Sequence, residues 1–158
     1  AELRNALVEV VRGARECLVA TGSRSCEPAY LQEIEHCLRN RPGLVHYRIL
    51  IGCPHNGLVK DHLLRLLDIT DLSTSKCERR VHISIITDLV RDHERFFVAS
   101  ESSALVVLPS VNSPRNFDTG LLIGAPQYAQ ALVQHGKGLY GSRRLESVEA
   151  VEALQVLE

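Results

Sequence analysis

The chain has 158 residues, 45% of them hydrophobic and 23% charged, with 18 Lys plus Arg against 19 Asp plus Glu and a net charge of −1. That length supports one hydrophobic core without disulfide or metal staples, and the balanced charge excludes the basic excess with which free-standing nucleic-acid binders neutralise phosphates. No apolar run is long enough to cross a membrane and the start lacks the regions of a signal peptide, so a cytoplasmic domain with a polar or small-molecule partner is expected.

Leu3, Leu7, Val10, Val11, Ala14 and Leu18 recur at three- and four-residue intervals with charged residues between them, which predicts an amphipathic helix. Residues 17–21 (CLVAT) form a short apolar run leaving into Gly22-Ser23-Arg24-Ser25, a buried strand followed by a tight polar loop. Pro28 suits a first helical position, and Tyr30, Leu31, Ile34, Cys37 and Leu38 mark a second amphipathic helix closed by residues 40–43. Residues 44–51 (LVHYRILI) have the composition of a strand, ended by the turn-rich loop 52–57. Leu58, His62, Leu63, Leu66 and Leu67 resume helical spacing, and the polar, aperiodic stretch 68–79 predicts a surface connection. A third strand is expected over 80–86, then two strands over 95–99 and 104–108 joined as a hairpin by residues 100–103. A last strand over 119–123 precedes a helix from Pro126 to about His135. Residues 136–144 predict a linker, and Val148, Val151, Leu154 and Leu157 a terminal helix over 147–158.

The resulting order, α-β-α-β-α-β-β-β-β-α-α, begins with alternating units and ends with consecutive strands. Alternation requires parallel strands covered by helices, whereas short connections require antiparallel neighbours. The fold class is therefore α/β, a mixed β-sheet sandwiched between α-helices in one domain over 1–158.

The five cysteines (Cys17, Cys26, Cys37, Cys53, Cys77) contain no C-x-x-C pair, and free thiols in a reducing compartment are the simplest reading. Cys53, His55 and His62 lie close in sequence but lack structural-zinc spacing, so no metal and no cofactor is expected. The chain begins with Ala and contains no Met, and the expectation is a fragment of a longer protein.

Polar residues cluster between His93 and Gly120 (HERFFVASESSALVVLPSVNSPRNFDTG) at the ends of two apolar strands. His93 and Arg95 are two apart and project from one strand face; Ser110 and Asn112, also two apart, fall just beyond the next strand. All four donate hydrogen bonds and one is always cationic, a set suited to an oxyanion or phosphate. Ordinary polar strand ends are the alternative. Ser23 and Arg24, with the backbone amides of 21–24, offer a second anion position where ligands bind in open α/β sheets, or else a glycine turn with a helix-capping serine. His46 and Arg48 share one strand face and reach either a pocket or a solvated edge, and Asn116 and Asp118 fix the loop before the last strand.

This stretch resembles a degenerate half-site of the phospholipase D superfamily, whose motif is H-x-K-x4-D followed by G-S-x-N. His93 matches the His, Arg95 stands for Lys and Ser100 for Asp, and Pro109-Ser110-Val111-Asn112 matches S-x-N with Pro for Gly. The resemblance implies His93 as a covalent nucleophile on phosphorus, Arg95, Ser110 and Asn112 as phosphate ligands, and a second half-site supplied by a homodimer. Arg for Lys replaces a compact ammonium with a fork, and loss of the Asp carboxylate removes a charge that would orient the imidazole, so activity absent or residual is expected. With A-T-G-S-R-S at 20–25, L-V-H-Y-R-I-L at 44–50, N-F-D-T-G at 116–120 and 15 Arg against 3 Lys, the chain also resembles the carboxy-terminal effector domains of helix-turn-helix transcription regulators from high-GC bacteria. That resemblance implies a non-catalytic domain that dimerises and senses a small polar or anionic ligand through His93, Arg95, Ser110, Asn112, Ser23 and Arg24. DNA would be bound only by a module outside the chain; a homodimeric phosphodiesterase or nuclease is the alternative.

Overall fold

A computed structural model describes residues 2–72, 79–86, 96–110, 112, 117–141 and 143–157. The elements follow the order α1 (Glu2–Gly13), β1 (Cys17–Thr21), α2 (Pro28–Asn40), β2 (Val45–Ile51), α3 (Gly57–Leu72), β3 (Val81–Ile86), β4 (Phe96–Ser100), β5 (Ala104–Pro109), β6 (Phe117–Ile123), α4 (Pro126–Leu139) and α5 (Val148–Glu152). Local chemistry sets several helix starts. Pro28 opens α2, the Asn56 side chain accepts the Val59 N–H in the first turn of α3, and Ser147 accepts that of Ala150 in α5.

The six strands form one sheet in the order β3-β2-β1-β4-β5-β6. β1, β2 and β3 are mutually parallel, with Leu18 opposite His46 and His46 opposite Val81. β4 is antiparallel to β1, and β4, β5 and β6 form an antiparallel meander. Alternation along each strand separates two cores. Leu18, Ala20, Leu50, Ile83 and Leu105 join residues of α1, α2 and α3 in the larger one. Val19, Ile49, Phe97 and Ala104 face Ala129 and Val133 of α4 in the smaller one.

The predicted mixed sheet between helices and its element order are both present. Several boundaries differ, β6 for instance beginning at Phe117 rather than at residue 119. Residues 68–72, read as part of a connection, continue α3, where Ile69 is buried among apolar neighbours; the rest of that connection lies outside the described residues. Residues 136–139, read as the start of a linker, belong to α4. Gly136 is buried there because α4 crosses β1 closely: a Cβ at Gly136 would lie 2.3 Å from Val19 Cγ1. The terminal helix ends at Glu152; Leu154 is buried beyond it, and the Leu157 N–H donates to the Pro54 carbonyl in the loop after β2. No helix among the described residues is long and apolar enough to cross a membrane.

Candidate functional site

Strand direction determines which loops meet. β1, β2, β3 and β5 end, and β4 and β6 begin, at one edge of the sheet. Glycines with positive φ turn the chain out of β1 and β2 there, Gly22 at 110° and Gly52 at 83°, conformations that side chains disfavour. Thr21, the last residue of β1, accepts the Phe97 N–H at 3.1 Å and so binds the end of β1 to the beginning of β4.

Ser23, Arg24, Ser110 and Asn112 therefore belong to loops at this same edge. Ser23 is fully buried, and its hydroxyl donates to the Ile51 carbonyl at 2.9 Å, joining the exits of β1 and β2. The Asn112 N–H donates to the Ser110 hydroxyl at 3.3 Å, folding the S-x-N segment on itself, with Ser110 half-buried and Asn112 exposed. His93, Arg95 and Asn116 lie outside the described residues, as does Cys77. Asp118 is exposed and accepts from the Thr119 hydroxyl at 3.1 Å.

Ser100 is at the other end of β4, opposite Leu18 at the start of β1. Four residues of extended strand span about 13 Å, so this position belongs to the edge opposite the one at which β4 begins. Its hydroxyl accepts the N–H groups of Ser102 and Ser103, both at 3.2 Å. Ser100 thus caps the β4–β5 turn.

His46 and Arg48 take neither position expected for them. Both are fully buried beneath β2, on the face covered by α2 and α3. His46 Nδ1 lies 3.1 Å from the Leu18 carbonyl; a carbonyl only accepts, so Nδ1 carries the proton and Nε2 a lone pair. His62 Nδ1 donates in the same way to Glu35 at 2.8 Å, and Arg65 donates to the same carboxylate oxygen. Burial lowers His46 to about 3, helped by the Arg48 charge. Burial also lowers His62, to about 4, against the raising effect of its bond to Glu35. His62 and Glu35 thus share a hydrogen bond at neutral pH rather than an ion pair. Burial raises Glu35, but the bonds from His62 and Arg65 outweigh it and hold the carboxyl below its ordinary value. The Arg48 guanidinium lies beside the buried Tyr30 hydroxyl, and among the described residues His46 Nε2 and His62 Nε2 have no hydrogen-bond partner. Sequence reading set His62 on the apolar face of its helix but missed this cluster, because Glu35 looks like a surface position until the helices that carry the two residues are paired.

A cavity of about 230 Å³ opens at the same edge, under α1. Leu3, Leu7, Phe96, Val107 and Phe117 line it together with Arg24, Ser25, Cys26 and Glu27. The Phe96 ring lies edge-on to both Tyr30 and Phe117, at 6.0 and 5.9 Å between centroids, which fixes the cavity wall. A wider groove between the outer faces of α1 and α2 is lined by charged residues, of which Arg12 is paired with Glu9 and Glu33. Among the described residues no three His, Cys, Asp or Glu side chains are grouped to hold a metal, and Cys17, Cys26, Cys37 and Cys53 are free thiols.

No protein-family model matches the chain, and no curated protein sequence matches it. Solved structures do. The chain is similar to Nuc from Salmonella typhimurium, a phospholipase D family member, with a TM-score of 0.63 over 91% of each chain and 10% identity. The fold is phospholipase-D-like. It is also similar to TrmBL2, an archaeal chromatin protein whose structure shows a novel mode of DNA binding, with a TM-score of 0.59 and 12% identity. That match covers 90% of this chain and 51% of TrmBL2, so the chain spans about half the length of that protein. In this phospholipase-D-like sheet, the S-x-N segment follows β5 at the edge from which Ser23 and Arg24 leave β1, and Ser100 is at the opposite edge.

Proposed function

We propose that the chain is the non-catalytic effector domain of a bacterial transcription regulator, a homodimer that binds a small polar or anionic ligand at the β1–β4–β5 edge. The observation that carries this reading is the likeness to TrmBL2, in which this fold makes up about half of a DNA-binding chromatin protein. One fold serving a phospholipase D family member and a chromatin protein follows the general rule that function resides in sites rather than in folds. Arg95 in the Lys position and Pro109 in the Gly position support loss of phosphoryl-transfer chemistry, since a guanidinium fork does not reproduce the geometry of an ammonium. DNA contact belongs to a module outside this chain, consistent with the balanced charge.

The homodimeric phosphodiesterase is the second reading, favoured by the coverage of 91% of Nuc. In it, His93 attacks phosphorus and a second His93 protonates the leaving group. The two readings part on one assay. The unmutated domain is expected to leave bis(p-nitrophenyl) phosphate and single-stranded DNA intact; turnover that His93→Ala abolishes would overturn the effector reading. Light scattering is expected to give a dimer, and a monomer would remove the shared site.

A further inference from the structure

The cavity beneath α1 carries the ligand assignment further, resting on the reading of this edge as a ligand site. Its lining combines five apolar residues with the loop that enters α2. α2 is 13 residues long and starts at Pro28, and Glu27 at its N-cap makes no side-chain capping bond. Pro28 has no N–H and the Leu31 N–H donates to the Glu27 carbonyl at 3.3 Å, so in this first turn the Ala29 and Tyr30 N–H groups are the ones without an intrahelical partner, and the helix dipole favours an anion at this end. Independently, Ser25, 7% exposed and lining the cavity, has a buried hydroxyl without a hydrogen-bond partner among the described residues. Buried hydroxyls are normally satisfied, so this oxygen marks a place where a polar group is received.

Charge decides which polar group. Arg24 and Glu27 both line the cavity, so its polar part carries both signs and complements a ligand that bears a cation next to its anion. A volume of about 230 Å³ falls below the roughly 300–1,000 Å³ usual for larger ligands. It admits a branched or aromatic side chain and excludes a nucleotide. We propose that this cavity binds an α-amino acid with an apolar side chain. Its carboxylate lies at the α2 N-terminus and Ser25, its ammonium at Glu27, and its side chain among Leu7, Phe96, Val107 and Phe117.

Calorimetric titration of the whole domain tests this with L-leucine, L-phenylalanine, 4-methylpentanoate and inorganic phosphate as probes. One of the two amino acids is expected to bind, and 4-methylpentanoate, which lacks the ammonium, to bind at least about tenfold more weakly than leucine. Val107→Trp, which fills the cavity, is expected to abolish binding. Should that variant fail to fold, Ser25→Ala is expected to weaken binding severalfold with the melting temperature retained. Equal binding of leucine and 4-methylpentanoate overturns the amino-acid assignment. Binding of phosphate alone overturns the cavity assignment and leaves the edge as an anion site. Binding of no probe, with Arg24→Ala inert in a metabolite screen, overturns both this assignment and the effector reading.

Discussion

Arg48 has a guanidinium that is fully buried beside the Tyr30 hydroxyl. Replacing a buried charge by an apolar side chain of similar volume is often neutral or stabilising, so Arg48→Met is expected to melt at the same temperature or higher. Its charge also adds to burial in lowering His46, and lowers His62. The same variant should therefore raise both imidazole pKa values, as followed by NMR; unmoved titrations would show that burial alone sets them. The pH dependence has a definite sign. Folded pKa values of about 3 and about 4 lie below the ordinary 6.5, so in that interval the unfolded chain binds more protons. Stability is complete above pH 6.5 and falls as pH decreases toward 4 and 3, by up to about 1.4 kcal/mol per pH unit for each proton taken up. Glu35, held below its ordinary value, adds to this loss at the acid end. Urea unfolding midpoints across this range check the slope, and constant midpoints would contradict it.

Among the elements, α4 shows how a glycine is misread. Gly136, Gly138 and Gly141 suggested a linker, yet Gly136 is the contact point at which α4 seats against Val19. Gly136→Ala is expected to lower stability by about 1–3 kcal/mol through overpacking, and Val19→Ala in the same chain to restore part of that loss. Thermal melts of the single and double variants decide this; an unchanged single variant would mean that α4 shifts freely. The other boundary errors have similar causes. Residues 68–72 are too polar to display a helical period, but Ile69 still reaches the core. Leu154 and Leu157 extend a helical spacing without a helix, because their segment packs and hydrogen-bonds as an extended tail. Element type was legible because apolar periodicity reports which face is buried. Boundaries were less so, because tertiary contact decides the last turn.

Across the whole molecule, the pairing of β1 with β4 was invisible to local pattern, and with it the assignment of loops to edges. The two pairs Ser23–Arg24 and Ser110–Asn112 were recognised from turn chemistry and motif, and the topology brings their loops to one edge. The turn-capping role of Ser100 was not legible, because a motif gives spacing along the chain and not direction across a sheet. Since its hydroxyl accepts two turn N–H groups, Ser100→Ala is expected to cost about 1 kcal/mol of stability. Ser100→Asp is expected to confer no phosphodiesterase turnover. Turnover in the Asp variant would restore this position to the catalytic motif. The buried cluster and the cavity escaped notice for the same reason: each is assembled from elements distant in sequence.

The central place of β1 has a consequence for how the chain folds. β1 leaves the ribosome early and can pair with β2, and β2 in turn with β3, through local crossovers, but its other side waits for β4, since Leu18, Val19 and Ala20 find their partners there only at Ser100, Ala99 and Val98. Until then the parallel half presents an unpaired inner strand, the kind of edge that captures other chains. Closure by such a distant pairing is slow relative to helix and hairpin formation. The β4–β5 hairpin, with its Ser100 cap, is a local unit able to form first and dock as a pair. The turn serine, silent in the chemistry proposed for this site, thus helps set how long that edge stays open during synthesis.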